Sequence, residues 1–177
     1  MRPGLPAVLD VRGRRCVVVG DGAAGRRKAD ALVAAAADVT VVDPDAAPRP
    51  GVEVIARPWE AGDLVEAFVV VTATDDTEVN DAVAAEAARL GALVLRADRP
   101  GDGHLTLPAV AHRRSVRVGV DTGGESPAVA AVVRDEIDRF LDAEDDRWDA
   151  LVRWAAEHRP VSIAEVGARL AELRRSP

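Results

Sequence analysis

Three glycines and one aspartate are the first residues in this chain whose types and spacing could do chemistry. Gly20, Gly22 and Gly25 follow the pattern G-x-G-x-x-G directly after the apolar run Cys16-Val-Val-Val19. At a strand-to-helix corner the first glycine permits a tight bend, the second lets backbone approach a pyrophosphate, and the third lets helix and strand pack closely. The N–H groups freed at the helix start, with the positive end of its dipole, suit phosphate oxygens. Asp43 closes the next strand, Val39-Thr-Val-Val42, about twenty residues beyond the glycines, the usual place for a ribose-binding acid. A carboxylate there accepts hydrogen bonds from a ribose 2′-OH and repels a 2′-phosphate, so NAD is expected rather than NADP. The alternative is a purely structural turn with Asp43 in solvent.

Other candidates sit after later strands, where doubly wound sheets carry their sites. Asp98 follows the apolar segment Ala92-Leu-Val-Leu95 and precedes an Arg-Pro turn. Partial burial there would raise its pKa and make it a general base; the competing reading is a turn-capping aspartate. Thr74-Asp-Asp76 reads mainly as turn and cap. In Thr122-Gly-Gly-Glu-Ser126, Gly123 and Gly124 could cradle an anion before a helix, or the loop could be a plain capped helix start. Arg96, Arg99, Arg113, Arg114 and Arg117 could grip carboxylates through their forked donors. His104, His112 and His158 show no ligand spacing, and no metal site is expected.

These residues need a scaffold that alternates strand and helix. The pattern predicts a helix over 23–37, strands at Val52-Glu-Val-Ile55 and Phe68-Val-Val-Val71, a helix over 77–90 capped by Asp76, and a fifth strand at 92–95. Past Asp98 it predicts an extended segment over 104–110 and a strand over 114–120. A helix then starts at Ser126-Pro127 and runs to Leu141, another spans 145–157, and Ser162-Ile-Ala-Glu165 is a capping box opening a third. The expected fold is a Rossmann-like, doubly wound parallel α/β sheet, then a dimerisation segment and a small C-terminal helical region. The expected divisions are 1–111 for dinucleotide binding, 112–143 for dimerisation and substrate, and 144–177 for the helical end.

Composition narrows the function. A net charge of −7 and the absence of tyrosine argue against nucleic acid as a partner. Cys16 is the sole cysteine, so no disulfide framework or cysteine-based zinc site is expected. The sequence shows neither a membrane-length apolar stretch nor a signal peptide, and a cytoplasmic protein is expected.

Taken together, the motifs resemble the N-terminal module of siroheme synthase, the precorrin-2 dehydrogenase and sirohydrochlorin ferrochelatase family. The resemblance is carried by the run from Leu5 to Lys28, by Ala73-Thr-Asp-Asp-Thr-Glu-Val-Asn80, by Ala97-Asp98, by Leu107-Pro-Ala109 and by Thr122-Gly-Gly-Glu-Ser-Pro-Ala128. It implies NAD-dependent oxidation of precorrin-2 to sirohydrochlorin, for siroheme or cobalamin, by a homodimer, with ferrous iron as a further substrate where chelation follows. Carried onto this sequence, Asp98 is the catalytic aspartate. The cofactor contacts fall on Gly20, Gly22, Ala23, Ala24, Gly25, Asp43, Pro44, Asp45 and Thr74. The tetrapyrrole contacts fall on Arg96, Arg117, Thr122, Gly123, Gly124 and Ser126, and Ser126 matches a serine phosphorylated in some members. Gly25 replaces a common alanine, Leu95 a frequent asparagine, and Gly-Asp-Gly-His104 an acidic and aromatic pattern. The rival from another class is an NAD-sensing regulatory domain, which explains the sheet and Asp43 but neither of the two longer signatures.

Overall fold

The computed structural model describes residues 4–114, 116–143 and 145–175. The chain forms two compact units that divide after Leu107. In the first, β1 (Arg15–Val19), β2 (Asp38–Val42), β3 (Val52–Ile55), β4 (Val69–Thr72) and β5 (Leu93–Arg96) alternate with α1 (Ala23–Ala34), a 3-10 turn (Ala61–Leu64) and α2 (Thr77–Arg89). The strands lie in the order β3-β2-β1-β4-β5, and all neighbours are parallel. That order is the Rossmann arrangement, with its reversal between β1 and β4.

Alternation along β1 explains the layering. Cys16 and Val18 face a cluster that includes Ala29 and Leu32 of α1, while Val17 and Val19 face one that includes Val83 and Ala87 of α2. Successive strand side chains point to opposite faces, so a run of β-branched residues fills both cores at once. Removing each such fully buried side chain from water contributes about 1.5–3 kcal/mol.

α1 stops earlier than its alanine run suggests. Ala36 adopts a left-handed φ of +60°, and the Ala37 amide donates to the Leu32 carbonyl at 3.1 Å, closing the helix before the expected end at Ala37. After β5, the His104 amide donates to the Val94 carbonyl at 2.8 Å, and the Val94 amide donates to His104 Nδ1 at 3.2 Å. A Cβ on Gly103 would stand 2.6 Å from the Val94 carbonyl oxygen, so the divergent Gly-Asp-Gly-His loop is fitted to the β5 backbone.

The second unit contains β6 (Ala109–Arg113), β7 (Val116–Val120), α3 (Pro127–Ala143), α4 (Asp145–Glu157) and α5 (Ile163–Arg175). β6 and β7 form an antiparallel pair along their whole length, so a boundary at 111/112 would cut β6; the division falls earlier for that reason. Arg114, expected to open the later strand, sits in the intervening turn with φ +41° and donates to Asp149 at 2.8 Å. Ala111 and Ala130 are buried within this unit, and Leu141 of α3 and Leu151 of α4 are buried as well. The capping box before α5 is present, Ser162 N donating to Glu165 Oε2 at 2.8 Å and Glu165 N to Ser162 Oγ at 3.3 Å. Among the described residues no helix is long and apolar enough to cross a membrane.

Candidate functional site: an open helix start beside a buried ion cluster

The corner between β1 and α1 has the form that its glycines predict. Gly20 takes φ +107°, and a Cβ there would overlap the Ala73 carbonyl, so the turns after β1 and β4 touch at the sheet's switch point. A Cβ on Gly25 would overlap the Gly20 carbonyl oxygen. Gly22 differs from both: beyond its own chain neighbours, no protein atom lies within 4 Å of where its Cβ would stand. Gly22 is the N-cap of α1, no side chain caps that end, and the first turn holds no acid. Gly22 and Ala23 are exposed and Ala24 is half-buried, so a helix start with orphan donors faces open space.

Asp43 is fixed beside this corner. Its Oδ2 accepts the Asp21 amide at 2.8 Å and its Oδ1 accepts the Asp45 amide at 2.8 Å. Each carboxylate oxygen keeps a lone pair for a further donor. Pro44 and Asp45 continue outward as exposed turn residues. Asp21, inside the glycine motif, would repel phosphate if bare, but it is buried and ion-paired to Arg49 and, at 3.2 Å, to Arg26. Sequence inspection passes over this pairing because Arg49 lies far along the β2–β3 loop. The donors, the vacant Cβ direction and the carboxylate together fit a dinucleotide: phosphate at the amides, ribose at Asp43.

The turn after β4 is held by one side chain. Asn80 of α2 is fully buried; its Oδ1 accepts the Thr74 amide at 3.1 Å and its Nδ2 donates to the Thr74 carbonyl at 2.9 Å. Asp76 caps α2 as expected, accepting from the Glu78 and Val79 amides at 2.8 and 3.3 Å. Thr74, Asp76 and Asn80 of the Ala-Thr-Asp-Asp-x-x-Val-Asn signature thus close the turn on itself. The Thr74 hydroxyl lies 2.9 Å from Asn80 Oδ1 and 3.0 Å from the Asp76 carbonyl, so it is engaged within that turn.

Asp98 lies at the same edge of the sheet. Val19, Thr72 and Arg96 stand in one register row, placing the ends of β1 and β5 two strands, about 10 Å, apart. Arg96, only 6% exposed, forks onto Asp98: Nη2 donates to Oδ2 at 2.6 Å and Nε to Oδ1 at 3.1 Å. Its remaining Nη1 donates to Asp81 of α2, which also receives Arg99. Asp98's pKa is therefore lowered, first by the Arg96 hydrogen bonds against an opposing contribution from burial. The expected rise through burial is overturned, because the buried guanidinium outweighs desolvation. Asp81 was invisible as a partner in the sequence: it lies on a helix, fifteen positions from Arg96.

The arginines expected to grip substrate carboxylates are mostly neutralised within the protein. Arg96 and Arg99 join the Asp81–Asp98 cluster, Arg113 pairs with Asp142, and Arg114 with Asp149. Arg117, exposed on β7, has no ion pair among the described residues. The Thr122–Ser126 turn also belongs to the second unit. Ser126 N donates to Thr122 Oγ1 at 3.1 Å, Gly123 N to Asp121 Oδ1 at 3.1 Å, and Val129 N to Ser126 Oγ at 3.2 Å. The capped helix start is formed, and of the two cradle glycines Gly123 has its amide engaged within the turn.

A parallel sheet in this order, with an open glycine corner at its switch point, defines a Rossmann-type dinucleotide-binding class. The chain belongs to the family described as "Putative NAD(P)-binding", whose model it matches over residues 7–109. It is 35% identical over 162 residues to a siroheme synthase of Methylobacillus flagellatus, covering 88% of this chain and 34% of that protein. A siroheme synthase of Gluconacetobacter diazotrophicus is 34% identical over 188 residues, covering 94% of this chain and 38% of the relative. The chain thus spans about a third of the length of these relatives. Among solved structures, "SirC, precorrin-2 dehydrogenase" superposes with a TM-score of 0.71 at 24% identity, over 96% of this chain and 89% of that one. That likeness establishes the shared fold, and the resemblance to the siroheme synthase module holds.

Proposed function

We propose that this chain is an NAD-dependent precorrin-2 dehydrogenase, giving sirohydrochlorin in siroheme or cobalamin synthesis. The observation that carries the reading is the uncapped start of α1 at the switch point, with a fixed carboxylate two strands away on the same edge. The amides of Gly22, Ala23 and Ala24 would hold the pyrophosphate, and Asp43 the adenosine ribose, which favours NAD over NADP. Bound NAD supplies the hydride acceptor.

Asp98 has the second part. Loss of a hydride leaves the tetrapyrrole cationic, and a carboxylate kept ionised by Arg96 stabilises that charge as it develops. Such a cation is strongly acidic, so even a weakened base takes its proton, directly or through water. The balance is one hydride to NAD and one proton to the carboxylate or water. Arg117 is the arginine we retain as a contact for the substrate's carboxylates, and Ser126 acts as a helix cap.

The test is to incubate the protein with precorrin-2 and NAD and follow absorbance. Equimolar sirohydrochlorin and NADH are expected; saturable NAD uptake without turnover would transfer the domain to the sensing class. Ferrous iron and sirohydrochlorin supplied without NAD test the chelatase step separately.

A further inference from the structure

The Asp98 cluster contains more than a base. Two arginines and two aspartates close on one another at the ends of β4 and β5. Arg96 reaches Asp98 from β5, and Arg99 reaches it at 3.6 Å from the following turn. The Thr72 hydroxyl faces Asp98 from β4 at 3.5 Å, and Asp81 faces both arginines from α2. Asp102 lies 3.8 Å from Arg99. Within this set the arginines differ in exposure: the Arg96 side chain is 6% exposed and that of Arg99 43%.

We propose that Arg96 is a positioning residue for Asp98, itself held in place by Asp81. This rests on the dehydrogenase reading and deepens it. A buried guanidinium that forks onto both carboxylate oxygens fixes the plane of the carboxylate, which a point charge does not do. The third nitrogen's bond to Asp81 stops the arginine from rotating away. Arg96 is therefore already engaged and does not serve as a substrate contact. The arrangement keeps Asp98 charged and aimed when substrate arrives, whatever the substrate's own carboxylates bring.

The test uses Arg96→Met, Arg96→Lys and Asp81→Asn in the full chain, with two readouts: the carboxyl-carbon NMR titration of Asp98, and the pH profile of kcat with precorrin-2 and NAD. In Arg96→Met the Asp98 titration and the acid limb of kcat should both move up by about one pH unit or more, the size expected on losing an adjacent opposite charge. Arg96→Lys retains charge without the fork, so the acid limb should stay near wild type while kcat falls by roughly tenfold. Asp81→Asn, on the half-exposed face of α2, leaves β5 untouched should the Arg96 variants not fold. It should lower kcat without moving the acid limb upward, because the charge removed is negative. If Asp98 titrates alike in wild type and folded Arg96→Met, or if Asp81→Asn leaves kcat unchanged, the assignment fails. A titration that moves while no form turns over supports the Arg96 assignment and overturns the dehydrogenase reading.

Discussion

Two glycine-bearing turns lead into helices in this chain, and they end those helices differently. Before α1, Gly22 offers no side chain and the first turn carries no acid. Before α3, Ser126 caps the helix while Thr122 and Asp121 accept the neighbouring amides. Both sequences contain two closely spaced glycines, so glycine content alone does not separate them. What separates them is whether a hydroxyl or carboxylate on the turn satisfies the amides from within. Where none does, the donors are left for a ligand.

The largest effect should come from the glycines that touch backbone. Gly25→Ala forces a methyl against the Gly20 carbonyl, and a loss of about 3 kcal/mol in urea unfolding is expected. An unchanged midpoint would mean that the corner is looser than described. Gly22→Ala comes next and sharpens the contrast, since its methyl meets no protein atom. Its melting temperature should stay put while NAD affinity falls roughly tenfold, about 1.4 kcal/mol. Equal loss of stability at both positions would break the distinction between a packing glycine and a ligand glycine. Ser126→Ala probes the other turn: about 1 kcal/mol of stability should go, with NAD affinity unaltered. Weakened NAD binding in that variant would merge the two turns into one role.

The smallest effect concerns acid. Arg57 lowers the pKa of Asp63 and Arg96 that of Asp98, so each contributes stability that is fully present above the ordinary carboxylate value of 3.8. That contribution disappears as pH falls through the lowered values. Acid unfolding followed by circular dichroism should therefore steepen below about pH 4, and Arg57→Met should remove part of the steepening. A flat stability curve through that range would count against both pairs.

Much of the sheet could be read in advance because its causes are local. Val17-Val-Val19 and Val69-Val-Val-Thr72 are continuous β-branched runs, and the Asp76 and Ser162 caps act within three residues. The form of the β1–α1 corner was legible to the same extent, through Gly20, Gly22, Gly25 and Asp43. Features set by distant partners were not. Asp98 was expected to gain a raised pKa from burial, yet the sign is decided by Arg96, Asp81 and Arg99 meeting across a strand and a helix. The arginines looked available for substrate because their aspartates are scattered through the sequence. The extended segment expected over 104–110 overlaps β6 only at Ala109 and Val110, because the strand's extent is set by pairing with β7.

The most direct test of the account is a calorimetric titration of the protein with NAD, alone and with Asp43→Ala. One saturable site per chain is expected, displaced by ADP and weakened by the substitution. The absence of any binding heat, or NAD binding indifferent to both Asp43→Ala and Gly22→Ala, would contradict it.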